Sequence, residues 1–508
     1  MVQQEALLSS DDLELAVRLL LTLATGGMTA GCRSVPVFRE RPVCVHAVGG
    51  ADRTISFDMD KDGYADYLQR FDAKGRKVEL RFGPQPGVSD YTILLDELAS
   101  QDVPHFIVAL DGVPYQLVKQ LYDEGCFRLF YPSAQVVSCF PGMTDPAFQR
   151  IFGGQKPVAY ESKYFDRNTN RLAGGSSAYL ADELSDWAKR LDYYCSSSLG
   201  AFAYIKPKTV LNHELNKITD LFRKTASGTR VVYSVATAGL GTRGGREAIL
   251  DYLRTMDKWC ELIVYEHRGN VKISLLADHG HSTSGQGRLS FRRLLKENGY
   301  RPTSSLKKPK DVVIVEFGLV TYAALYTSDP PGVASAVLKD PRTTIACYPA
   351  TKPKTSGADV VVQTADGLAI VRERHGRFCY DAEHGDPLEL SDIVRQLRLK
   401  GSVDSDGFAD DRAVFEATLN HRYPDPLRRI WFAFNGLVQQ PPDLIVCLQD
   451  GWVHGSGLFH KVIGKVASTH GSLNQSNSMT FVMTMLGELP PALRLEEVMP
   501  SLEKLYWN

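Results

Sequence analysis

With 58 Lys and Arg against 59 Asp and Glu, this 508-residue chain carries a net charge of -1 and lacks the basic excess of a nucleic-acid binder. Its hydrophobic content of 44% and charged content of 23% suit a globular protein, long enough for one large domain with insertions or for two. No apolar run is long enough to span a bilayer as a helix.

At the N-terminus, Arg18 precedes an apolar stretch from Leu19 that ends in Thr29-Ala30-Gly31-Cys32. A cation, a short apolar core and small residues form the layout of a secretory signal, so residues 1–32 are expected to be a signal segment. The last four residues resemble a bacterial lipobox. That implies lipid on Cys32 and an extracytoplasmic place, as a membrane-anchored lipoprotein or in the periplasm. An amphipathic first helix is the alternative. Nine cysteines without a CxxC pair define neither a zinc site nor a disulfide framework.

Residues 36–90 read as a small β segment. Strands predicted over Thr54–Phe57 and Tyr67–Phe71 flank Asp58, Asp60, Asp62, Gly63 and Asp66. Alternate carboxylates followed by glycine make up most of an EF-hand-type loop, although Gln69 replaces the glutamate of position twelve. Structural calcium on Asp58, Asp60, Asp62 and Asp66 is expected, with an acidic hairpin turn as the alternative.

Farther along, apolar runs of strand length (Phe106–Leu110, Arg230–Val235, Val271–Leu276, Val312–Phe317 and Leu444–Cys447) alternate with helical stretches. Over Gly245–Trp259, Ile249, Leu250, Leu253, Met256 and Trp259 recur at helical spacing. The alternation predicts an α/β fold with a largely parallel sheet covered on both faces. The acidic stretch Asp404–Asp410 is expected to cap the helix that follows.

Four segments place reactive side chains directly after such runs. They are Asp111-Gly112, Ser138-Cys139-Phe140-Pro141, Asp278-His279-Gly280 and Thr469-His470-Gly471. Side chains delivered from several strand ends to one sheet edge are how α/β enzymes assemble active sites. Carboxylates, imidazoles and a nucleophile together suit metal-assisted hydrolysis.

Phe140-Pro141-Gly142-Met143-Thr144-Asp145, Ala277-Asp278-His279-Gly280 and Ser468-Thr469-His470-Gly471, in that order, resemble the type I phosphodiesterase and nucleotide pyrophosphatase branch of the alkaline phosphatase superfamily. The resemblance covers residues 100–490. It implies an alkaline-phosphatase-like three-layer sandwich with a mainly parallel central sheet, behind the small β-rich segment 36–90. Asp111, Asp278 and His279 match ligands of one divalent, zinc-like ion, and His470 a ligand of a second. Cys139 falls where the family keeps a Thr or Ser nucleophile, with Ser138 and Thr144 as neighbouring hydroxyls able to substitute.

The segment Tyr233–Gly245 departs from the family, which draws an Asp and a His from it; here it holds no Asp, Glu or His. One ion is therefore expected rather than two. His281, His213 and Glu214 are the nearest replacements, and a surface position is expected for each. Two functions follow: hydrolysis of a small-molecule phosphate or sulfate ester at an incomplete two-metal site, or a catalytically reduced relative acting as an extracytoplasmic binding or structural module. Nucleic acid is not an expected partner, and a membrane only through the lipid anchor.

Overall fold

The computed structural model describes residues 42–47, 53–59, 64–83, 90–180, 185–285, 287–350 and 357–506. Cys32 with its signal-like segment, and Asp60, Asp62 and Gly63 of the acidic loop, lie outside the described residues.

Strands His105–Leu110 and Lys272–Ala277 are buried at every position, the pattern of strands covered on both faces. They pair in parallel, and Thr229–Ser234 pairs in parallel with His105–Leu110 on its other side. Met479–Thr484 follows antiparallel, then Ala134–Val137 and Ala492–Arg494. This six-stranded sheet is parallel except for one strand, as the strand–helix alternation predicts. Helices Tyr115–Asp123, Pro207–Arg223, Ala236–Glu266 and Leu495–Lys504 contribute to its core. The third of these buries Ile249, Leu250, Leu253, Met256 and Trp259, the residues whose spacing predicts it.

A second sheet has nine strands, running from Arg301–Thr303 to Ala409–Asp410. Only its first pair is parallel. The runs at Val312 and Leu444 belong here and not to the parallel sheet, because an apolar run carries no information about strand direction. Alternate residues enter the cores on its two faces: Val313 and Ile445 on one, Val312 and Leu444 on the other.

The N-terminal strands form a five-stranded antiparallel meander from Pro42–Ala47 to Tyr91–Leu94. Phe57, Tyr67, Leu80 and Phe82 join the core of the parallel sheet. Gln69 is a buried strand residue whose amide donates to Glu261, 3.3 Å away, and Lys77 forms an ion pair with the same carboxylate. The side chain in the twelfth position of the acidic loop is thus engaged with a helix. Asp66 closes the hairpin, accepting from the Met59 amide at 2.7 Å. Asp410 accepts from the Ala413 amide at 3.0 Å and caps helix Asp411–Thr418, as expected. Among the described residues no helix is long and apolar enough to cross a membrane.

Candidate metal centre

Three neighbouring parallel strands end at Leu110, Ser234 and Ala277, and the residues following the first and last are Asp111 and Asp278. Both carboxylates are buried. One oxygen of each is fixed by the protein. Asp111 Oδ2 accepts from the Tyr233 hydroxyl at 2.5 Å, and Asp278 Oδ1 accepts from the Gly112 and His279 amides, each at 2.9 Å. The other two oxygens, Asp111 Oδ1 and Asp278 Oδ2, have no hydrogen-bond partner among the described residues.

His279 and His470 complete the picture with their tautomers set by carbonyls. His279 Nδ1 lies 3.0 Å from Gly280 O, and His470 Nδ1 lies 2.7 Å from Gly142 O. A carbonyl only accepts, so both Nδ1 atoms carry the proton and both Nε2 atoms present a lone pair. His279 Nε2 faces Asp278 Oδ2 at 3.3 Å and Asp111 Oδ1 at 3.8 Å. The rings of His279 and His470 stack at 3.9 Å. Asp111, Asp278, His279 and His470 are thus brought together from segments far apart in the chain.

The expectation for the three possible replacements holds only for His213, which is exposed. His281 is buried, with its ring 5.1 Å from that of His470. The cause is local pairing: Ser282 and Thr469 exchange amide–carbonyl bonds of 2.8 and 3.0 Å, which carries the residue before Ser282 to the residue after Thr469. Glu214 is buried too. Its oxygens are occupied by the Ser234 hydroxyl at 2.8 Å and the Val235 and Ala236 amides, each at 3.2 Å, so it caps a helix start.

Electrostatics show what the cluster lacks. Burial and then the charge of Asp278 push the Asp111 carboxyl well above its ordinary range. Burial pushes Asp278 up to about 7, although the Gly112 amide and the Thr144 hydroxyl pull it back. Burial also lowers His279 to about 4, and burial with the neighbouring imidazoles holds His281 and His470 well below their usual value. Buried acceptors normally find donors. Among the described residues, Asp111 Oδ1, Asp278 Oδ2 and His279 Nε2 have none, and His281 Nε2, on a ring whose Nδ1 meets the Ser468 hydroxyl, has no partner either. Two sets, Asp111–Asp278–His279 and His279–His281–His470, each keep their ligand atoms within 4.8 Å of one another. Oxygen and imidazole donors at that spacing fit a divalent ion.

Of the three candidate nucleophiles, Cys139 and Ser138 line one cavity and Thr144 another. Cys139 donates its Sγ–H to Pro141 O at 3.3 Å, and burial pushes its thiol up. It lines a small cavity with Ser138, Arg150 and Arg429. Thr144 opens helix Thr144–Phe152 and lines a cleft of about 180 Å³ together with His470. Tyr160, Tyr179, Tyr204, Phe317 and Phe459 form the aromatic wall of that cleft, and no described lining residue is Lys or Arg. Glu161 also lines it, accepting from the Gly318 amide at 2.6 Å; burial raises its carboxyl to about 7. No sequence motif marks Glu161, because its partner Gly318 is distant in the chain.

No family model and no curated protein matches the chain. Among solved structures it is similar to human ectonucleotide pyrophosphatase/phosphodiesterase 5, at 10% identity and a TM-score of 0.43, over 80% of this chain and 95% of that one. The murine ectonucleotide pyrophosphatase/phosphodiesterase 5 is similar at 11% identity and a TM-score of 0.42, over 80% of this chain and 95% of that one. An inactive form of the murine protein in complex with AMP is similar at 10% identity and 0.42.

Proposed function

We propose that the chain is a metal-dependent hydrolase of small phosphoesters. The observation that carries this reading is the convergence of buried acceptor atoms, Asp111 Oδ1, Asp278 Oδ2 and His279 Nε2, that lack hydrogen-bond partners among the described residues, at the carboxyl edge of a parallel sheet. A divalent ion held by Asp111, Asp278 and His279, beside His470, would supply Lewis acidity and neutralise phosphoryl charge.

The chain's own groups supply orientation. Tyr233 leaves one oxygen of Asp111 free, and two amides leave one of Asp278 free. These contacts fix the carboxylates before any substrate arrives. Thr144 is the hydroxyl placed to attack: it stands near Asp278, on the cleft wall with His470, at a helix start that favours a phosphate anion. Its Oγ1 forms a bond to phosphorus as the ester oxygen departs and takes up the hydroxyl proton. Water then cleaves the phosphothreonine, returning the hydroxyl and releasing phosphate or a monoester. Burial pushes the Cys139 thiol up and it lines a different cavity, which favours Thr144 over it as the attacking group. The aromatic wall receives the rest of the ester.

The ligand-free run Ala236–Gly245 favours a second reading, a catalytically reduced binding module. Metal content and turnover of bis(p-nitrophenyl) phosphate, measured on the full chain and on Asp278→Ala, separate the two. A bound ion and turnover that are both lost in the variant support the hydrolase. A chain that takes up no transition metal and shows no turnover would leave the module as the account.

A further inference from the structure

We infer that His281 is a metal ligand seated in a slot left open by two glycines, and that it completes a single-ion centre for a late first-row transition metal such as zinc. The inference rests on the metal-dependent reading above and specifies its ligand set.

His281 is buried, its Nδ1 is engaged by the Ser468 hydroxyl, and its Nε2 has no partner. A histidine kept only for packing would need a hydrogen-bond partner or water on that nitrogen; a metal requires the tautomer in which Nδ1–H donates to Ser468 and Nε2 is bare. The slot is defined on both sides. A Cβ on Gly112 would lie 2.6 Å from His281 Cδ2 and 2.8 Å from Nε2, and one on Gly241 would lie 3.2 Å from Nδ1. Gly241 belongs to the run that carries no ligand of its own. That run instead yields the space into which a ligand from a different strand end fits.

The number of ions follows from His279. Its Nε2 is the bare nitrogen of that ring and belongs to both ligand sets. One lone pair serves one ion, so two complete three-residue sites cannot coexist. The set His279–His281–His470 offers three imidazoles, and nitrogen ligands favour zinc, cobalt or nickel over magnesium or calcium, which take oxygen ligands.

The test uses the full chain stripped with chelator and titrated with cobalt(II), read by its visible d–d absorbance and by equilibrium dialysis. One cobalt per chain is expected, displaced by zinc and not by magnesium. His281→Gln should weaken binding about 10–100-fold and alter the spectrum. Gly241→Ala, which keeps every ligand but narrows the slot, should weaken it in the same direction, and Ser468→Ala should do so by freeing the ring. His213→Ala should match the parent, and melting curves report whether each variant is folded. Two ions per chain, or unchanged affinity in folded His281→Gln and Gly241→Ala, would overturn the inference while leaving the hydrolase reading standing. A parent chain that binds no cobalt or zinc would overturn both.

Discussion

Tyr233 shows how much a single hydroxyl decides. By donating to Asp111 Oδ2 it leaves Oδ1 as the oxygen that faces His279. Tyr233→Phe should therefore weaken metal binding by about tenfold without unfolding the chain, read by competition with a chromophoric chelator. Thr144→Ala should lower turnover at least about a thousandfold, whereas Cys139→Ala should stay within a few-fold of the parent. A phosphorylated Thr144 trapped by acid quench and found by mass spectrometry would mark the attacking atom directly. If Cys139→Ala proved the damaging variant, the assignment would reverse. Asp111, Asp278, His279 and His470 were legible in the sequence because each follows an apolar run or sits in a motif. The place of His281 was not, since it depends on Ser282 pairing with Thr469, distant in the chain. The direction in which Cys139 faces was not legible either: which side of a loop a residue presents is decided by packing.

At the scale of elements, helix Ala236–Glu266 starts against Glu214 of helix Pro207–Arg223. Burial raises this carboxyl from 4.5 to about 7. In the unfolded chain it ionises near 4.5, so between 4.5 and 7 the unfolded state loses its proton first. Stability contributed by the protonated form is complete below 4.5 and falls away as pH rises to 7. At about 1.4 kcal/mol per pH unit, the loss amounts to about 3.5 kcal/mol. Urea midpoints between pH 5 and 8 should fall with pH in the parent and less steeply in Glu214→Gln, where Glu161 and Asp278 still contribute; an equal slope in both would refute this. The helix was legible only from Gly245 onward, where apolar spacing begins. Its first turns are small residues without periodicity, and Gly245 itself takes a φ of 63°, bending the helix where the two parts join. Strand direction was hidden for a different reason: parallel and antiparallel strands buried on both faces share one apolar pattern.

For the molecule as a whole, the N-terminal meander is fastened through Lys77 and Gln69 to Glu261, all three buried. Glu261→Ala strands a buried ammonium and should cost about 3–5 kcal/mol. Replacing the pair with Lys77→Met and Glu261→Leu should recover much of that loss. Thermal melts and limited proteolysis at the meander provide the readout, and a neutral Glu261→Ala would show the contact to be incidental.

The loop carrying His470 is pinned to the second sheet's side of the molecule. The Thr321 amide donates to His470 O at 2.8 Å, the Thr469 hydroxyl to Leu319 O at 2.6 Å, and the Ser472 amide to the Thr321 hydroxyl at 2.7 Å. Asp111, Asp278 and His279 ride on the parallel sheet. An ion gripping both groups would act as a rivet beside the Ser282–Thr469 pairing, and its absorption band as a strain gauge. In a denaturant ramp on the cobalt-loaded chain, the colour should fade when this loop loosens, ahead of the loss of helical circular dichroism.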